Sequence, residues 1–192
     1  MAASGWNDLV PFDGNTDELL ATLHQQVFES GDFVTPGIEP EFLDEIAFFD
    51  VSAEERAQMA ADYDLTPLLS VADRVGLDNL VSWCVQRYEN KDLSTLDELR
   101  ALQCISSSGT HSALDITSFA ATPEDSGLLP LTASQVVEVF GKERVQQDDV
   151  SAMKMYVFDA IPDAYKRWQA VFVPVYTGDE LTHAYVEGCS GD

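Results

Sequence analysis

The stretch SSSGTHSALD (106–115) brings Ser108, His111 and Asp115 together, the three side-chain types of a nucleophile, its base and an orienting acid. Acyl transfer of that kind needs the serine on a strained, exposed turn, the histidine held by a buried carboxylate, and an oxyanion hole. The chain has no GxSxG elbow, and nearness in sequence does not create that geometry. As an anion cradle the same loop offers small hydroxyl residues and a glycine. It runs into the strand-like SALDITSF rather than a helix, and the nearest preceding cation is Arg100. A hydrolase or transferase using the 106–111 loop stands as the alternative to a non-enzymatic reading.

Metal chemistry has little to build on. His24, His111 and His183 show no HxxxH or HExxH spacing, and Cys84, Cys104 and Cys189 no CxxC pair. Cys104 with His111, or His183 with Cys189, would supply two ligands at most. DGNTDE (13–18) has calcium-like oxygens without the spacing or terminal Glu of an EF-hand loop. An odd cysteine count is not a disulfide framework, and Cys84 reads as a small buried hydrophobe. The expectation is no metal, no cofactor and no enzyme activity. Paired carboxylates (Glu54-Glu55, Asp62 and Asp64, Glu124-Asp125, Asp148-Asp149) sit in polar contexts and read as a solvated face rather than acid/base pairs.

Charge is the most informative feature. The 192 residues carry 34 Asp and Glu against 10 Lys and Arg, a net of −24. Such a field repels nucleic acid and anionic lipid, so neither is an expected partner. Residues 1–100 hold 21 acidic and 5 basic groups, residues 101–192 hold 13 and 5, and the first basic side chain is Arg56. The asymmetry points to the N-terminal half as the acidic face. A hydrophobic fraction of 45% supports a real core. No apolar run approaches the ~20 residues that span a bilayer, and MAASGWNDLVPFDG has neither basic nor apolar leader character. A cytoplasmic setting follows.

The elements that must present these groups are legible in part. TDELLATLHQQVFES (16–30) sets Leu19, Leu20, Leu23, Val27 and Phe28 on one stripe, with Thr16 or Asp17 as cap, Gly31 as stop and His24 on the polar side. EPEFLDEIAFFD (39–50) sets Phe42, Leu43, Ile46 and Phe49 against Glu41, Asp44 and Glu45. Ser52 with Glu55 is a capping box for a helix to about Tyr63. Thr66-Pro67, Asp78 and Ser94 open three more. Beyond residue 104, SALDITSF, MKMYVF (153–158), WQAVFVPVY (168–176) and LTHAYVEG read as strands, the last two joined at TGDE, and TPEDSGLLP as a turn-rich connection. Thr132 with Gln135 opens a single helix ending at Gly141. Pro174 lacks a donor, so its strand needs an edge or a bulge.

VPFDGNTDELLATLHQQVFESGDF, GTHSALDI, LPLT and VYTGDELTHAYVEGCSGD together resemble a group of uncharacterised bacterial proteins, which implies no activity. LLSVADRVGLDNLVSWCVQRYENKDLSTLDELRAL resembles the helical part of Skp1-like adaptors through Leu68, Ala72, Leu77, Leu80 and Cys84, then Asp97, Glu98, Leu99 and Arg100. No strand-rich portion precedes it; the resemblance implies a protein-docking adaptor. The C-terminal helix and strands look like small outer-membrane-assembly or β-lactamase-inhibitor-type modules, which bind proteins.

The sequence therefore predicts an α+β fold. A helical acidic half (1–103) packs on a small, mostly antiparallel sheet with one helix (104–192), the two forming one compact unit. The expected function is an acidic binding protein that neutralises or escorts a basic protein partner, such as a toxin, a nuclease or another cationic enzyme, as an immunity protein does. Glu41, Asp44, Glu45, Glu54, Glu55, Asp62 and Asp64 are the expected contacts, with Tyr63 as aromatic anchor. The dull alternative is a carboxylate coat that hydrates the protein in high salt.

Overall fold

The structure, a computed structural model, describes residues 5–37, 51–106, 108–153, 157 and 168–190. In chain order the described elements are β1 (Gly5–Pro11), α1 (Thr16–Ser30), α2 (Ala53–Asp62), α3 (Thr66–Val75), α4 (Leu77–Asn90) and α5 (Leu96–Gln103). A 3-10 turn (Ala113–Asp115) precedes β2 (Gly127–Pro130), α6 (Ala133–Phe140), β3 (Val145–Gln146), α7 (Gln147–Ser151), β4 (Gln169–Thr177) and β5 (Glu180–Cys189). Among the described residues, seven helices and a mixed five-stranded sheet make an α+β fold. The predicted helix over 39–50 lies outside the described residues.

The chain divides into two compact units, residues 34–109 and residues 1–33 with 110–192. In the first, α2 packs on α3, and α3 on α4 and α5. Leu65, Leu68, Val71, Ala72, Leu80, Cys84, Ala101, Leu102 and Ile105 form its buried core. Local chemistry sets the helix ends. Ser52 and Glu55 exchange side-chain and backbone bonds across the first turn of α2. Pro67 opens α3 without needing its missing donor, and Gly76 with φ 85° ends it. Two caps differ from expectation: α4 starts after Gly76 rather than at Asp78, and Thr95 rather than Ser94 caps α5.

The second unit is built on the sheet, in the order β1-β5-β4-β2, with β3 also beside β4. β1–β5 and β5–β4 are antiparallel; β2 and β3 run parallel to β4. Leu9, Val171, Val173, Val175 and Tyr185 share one face and meet Val136, Val139 and Phe140 of α6, with Val145, Val150 and Val157. The alternate residues Trp6, Val10, Ala170, Phe172, Ala184 and Val186 are buried on the other face. Pro174 sits in the interior strand β4, beside a register shift at Val175/Tyr176, the bulge its missing donor called for. The Phe172 carbonyl accepts from Leu131 on the parallel side, so by alternation the Pro174 nitrogen faces that side too, between the partners of β2 and β3.

Several expectations fail locally. SALDITSF is not a strand: it holds the 3-10 turn, because Ser112 accepts from the Leu114 amide on its hydroxyl and from the Asp115 amide on its carbonyl, and only Phe119 bridges to Leu128. Within MKMYVF, the described Val157 is helical. β1, β2 and β3 arise where no strand was expected, and α7 is a second helix beyond residue 104 where one was expected. α1 keeps its predicted span, with Asn15 as its cap and Gly31 in the left-handed region as its stop. His24 lies on the buried side of α1, with Nε2 2.7 Å from the Ile116 carbonyl, which makes burial of the ring tolerable.

Candidate functional site

α2 presents its carboxylates on one side. At 100° per residue, Glu54, Gln58, Asp62 and Glu55 fall within an arc of roughly 100°, while Arg56 and Ala60 are buried. The Arg56 guanidinium donates to the Val51 carbonyl at 2.9 Å. Glu54, Glu55, Asp62 and Asp64 are exposed, and Tyr63 at the C-cap is 70% exposed. Not all these carboxylates are idle. Glu55 Oε2 accepts from the Ser52 hydroxyl at 2.7 Å and the Ser52 amide at 3.0 Å, bonds that hold its carboxyl below the usual range. Asp62 accepts from Gln58 at 2.8 Å. Asp64 takes a left-handed backbone (φ 54°), and its carbonyl lies 3.6 Å from Cys104 Sγ. Glu41, Asp44 and Glu45 lie outside the described residues.

The described ion pairs lie elsewhere: Arg74 and Arg87 with Glu98, Arg87 with Asp92, Lys142 with Asp149 and Arg144 with Asp179. None involves Glu54, Glu55, Asp62 or Asp64. Glu98 is the centre of a buried hub. Its carboxylate accepts from Arg74 at 3.0 Å and from the Ser94 amide and hydroxyl, both at 2.9 Å, while Arg74 and Arg87 also lie over the Trp83 ring. Burial alone would raise its pKa; the Ser94 donors and the two guanidinium groups outweigh that and hold it below the usual range.

The 106–115 stretch is held by its own bonds. Ser108 Oγ accepts from the Gly37 amide at 2.9 Å and lies 3.3 Å from Ser106 Oγ. Asp115 Oδ1 accepts from the Thr110 amide (2.7 Å) and hydroxyl (2.8 Å), and Oδ2 from the His111 amide (3.1 Å). The carboxylate thus staples a turn, with His111 at φ 57°. Ser108 belongs to one compact unit, His111 and Asp115 to the other. Among the described residues no group of three or more His, Cys, Asp or Glu is placed to hold a metal ion. Burial pushes the thiols of Cys84 and Cys104 up, to about 12 and about 11, so neither is a ready nucleophile.

Other acidic pairs serve locally. Asp13 accepts from the Asn15 amide, Asp125 from Thr122, and Asp149 from Lys142 and the Gln146 amide. Two features escaped the sequence reading. Asp8 of β1 is pushed up to about 6 by burial, with the Asp32 charge adding to it and a Gln26 hydrogen bond opposing it. Beside α1, two adjoining surface clefts of about 460 and 490 Å3 are lined by Asp13, Glu18, Glu29 and Glu180 and by no Lys or Arg. Recognising β1 as a strand would have placed Asp8 on the same sheet face as Trp6 and Val10.

The residues carrying the Skp1-like resemblance are largely internal: Leu68, Ala72, Leu80, Cys84 and Leu99 are buried and Glu98 holds the hub. No described helix is long and apolar enough to cross a membrane. Comparison with protein-family models, with curated proteins and with solved structures finds no match to the chain.

Proposed function

We propose that the protein is a non-enzymatic, cytoplasmic binding protein whose α2 face docks a basic protein partner, a toxin, nuclease or other cationic enzyme, and neutralises or escorts it. One observation carries this reading. Glu54, Glu55 and Asp62 form a one-sided exposed stripe ending at the exposed Tyr63, and no described ion pair involves them. A cationic surface meeting that stripe finds carboxylates in place of phosphates. Long-range attraction speeds the encounter, and Tyr63 supplies contact area at little entropic cost. The test is capture from native lysate at low and high salt, followed by kinetics on the captured protein. Replacing Glu54, Glu55 and Asp62 together by Lys is expected to lower the association rate constant at least tenfold at low salt, with a smaller change in dissociation. Capture indifferent to both salt and the triple variant refutes the reading.

A hydrating coat has an observation of its own. Residues 34–109 hold 15 acidic and 5 basic groups and the other unit 19 and 5, so both carry about one net negative charge per eight residues. The asymmetry between chain halves disappears because the first 33 residues, with six carboxylates and no cation, belong to the sheet unit. If the coat is the whole account, melting temperature rises with salt and no partner is retained at any ionic strength. The enzyme alternative requires loss of turnover in Ser108→Ala or His111→Ala with the fold intact.

A further inference from the structure

A cleft of about 390 Å3 in the sheet unit is lined by residues 115–118, Ser126, Gly127 and Trp168. It is independent of the α2 face. Trp168 stands 38% exposed with φ 63°, a conformation disfavoured for a bulky L-residue. Its backbone is pinned from both sides: its amide donates to the Cys189 carbonyl at 3.0 Å, and its carbonyl accepts from the Gly127 amide at 2.7 Å. Gly127 is obligatory there. Its φ is 129°, and a Cβ would come within 2.6 Å of the Ser118 carbonyl oxygen. Leu128 donates to that carbonyl at 2.9 Å, which fixes the opposite wall. Gln169 donates to the Pro123 and Asp125 carbonyls at 2.7 and 2.8 Å and fixes the turn that carries Ser126. Trp168 is thus fixed through its backbone in the lining of a cleft whose walls are tied by hydrogen bonds.

The lining selects the ligand class. It has no Lys or Arg, and its unit carries a net of −14, so an anion has nothing to meet. Asp115 is already met by two amides and a hydroxyl, so its carboxylate oxygens are engaged by the chain. What remains is a partly exposed tryptophan and the buried Ile116 in the same lining as three exposed hydroxyl residues, Thr117, Ser118 and Ser126, each able to donate and accept. A neutral polyhydroxylated ring matches that set, with its C–H face on the indole and its hydroxyls toward Ser and Thr, and the volume falls in the range of small-molecule sites. We propose that this cleft is a binding site for neutral carbohydrate.

The test uses the full chain against an array of neutral mono- and oligosaccharides, with methyl glycosides then titrated by calorimetry. Expected is saturable binding with a Kd on the order of 1 mM for a single ring, and none for sulfated or uronic-acid sugars. Trp168→Ala is expected to weaken binding at least tenfold, and Ser126→Leu, which fills the cleft from an exposed position, to do the same. Tyr88→Ala, an exposed aromatic of the other unit, leaves it unchanged. Melting curves accompany each variant, and if Trp168→Ala does not fold, Ser126→Leu decides. Failure of every neutral sugar on the array, or wild-type affinity in both cleft variants, overturns the proposal.

Discussion

Glu98 and Glu55 occupy the same position in their helices, the third residue after the cap, and both reach back to a serine hydroxyl and amide. There the likeness ends. Glu98 is 2% exposed and meets two guanidinium groups stacked on Trp83. Glu55 is exposed and meets no cation among the described ion pairs. A glutamate at the third position therefore yields an internal clamp in one helix and an external charge in the other, bonded to the cap serine in α2 and to the residue before the cap in α5. In a chain with 34 acids and 10 cations, what a carboxylate does depends less on its own helix than on whether a distant segment delivers an arginine. Asp8 is the third case, half-buried with no cation and raised by its surroundings.

The largest effect is expected at Glu98. Glu98→Gln removes the charge between Arg74 and Arg87 and costs about 2–3 kcal/mol in urea unfolding, at or below the low end of the range for a broken buried pair because the Arg74 side chain is half exposed. A folded-state pKa below the ordinary carboxylate value stabilises the protein above that value. This contribution is lost as pH falls through the folded pKa, and Glu98→Gln should lack that part of the acid limb. A cost below about 0.5 kcal/mol would place the hub with ordinary surface pairs.

Asp8 should move stability the other way. Its folded pKa of about 6 exceeds the ordinary 3.8, so the native state binds the extra proton between those values. Stability contributed by the protonated form is present below 3.8 and lost as pH rises to about 6. Asp8→Asn should therefore stabilise the protein at pH 7, by about 1–2 kcal/mol after allowance for solvent screening, and flatten the unfolding profile across that window. Equal stability of the two proteins at pH 5 and pH 7 would show that Asp8 is as well solvated as Glu55.

These differences also mark how far the sequence could be read. The starts of α2 and α6 and the stops of α1, α3 and α6 are local: capping boxes at Ser52 and Thr132, glycines at 31, 76 and 141. They are legible because every partner lies within one turn. β1 is not, because GWNDLVP has no clean alternation and becomes a strand by pairing with β5 at the far end of the chain. SALDITSF misled for the opposite reason: a local residue, Ser112, takes the Leu114 and Asp115 amides that a strand would need. The exposed stripe of α2 follows from 3.6-residue periodicity, so Glu54, Glu55 and Asp62 were readable as a face. The Glu98 hub was not, since Arg74 lies 24 residues away. Trp168 could be noticed as an aromatic but not as a left-handed one, because that conformation is imposed by Gly127 and Cys189.

The smallest effect separates the two caps. Ser52→Ala should cost about 1 kcal/mol, since the Glu55 amide loses its acceptor and α2 frays. Glu55→Gln should lower the melting temperature only slightly at pH 7, because an amide oxygen can still accept from the Ser52 amide and hydroxyl and no guanidinium is left behind. At α2 the hydroxyl matters more than the carboxylate; at α5 the order reverses. That reversal leaves Glu55 free to serve a partner without weakening its own helix. Its charge is then the one to change for binding: Glu55→Gln should slow association with a captured basic partner at low salt and leave the urea midpoint nearly where it was. A large fall in that midpoint would mean that Glu55, like Glu98, is held by the fold and is not available to a docking surface.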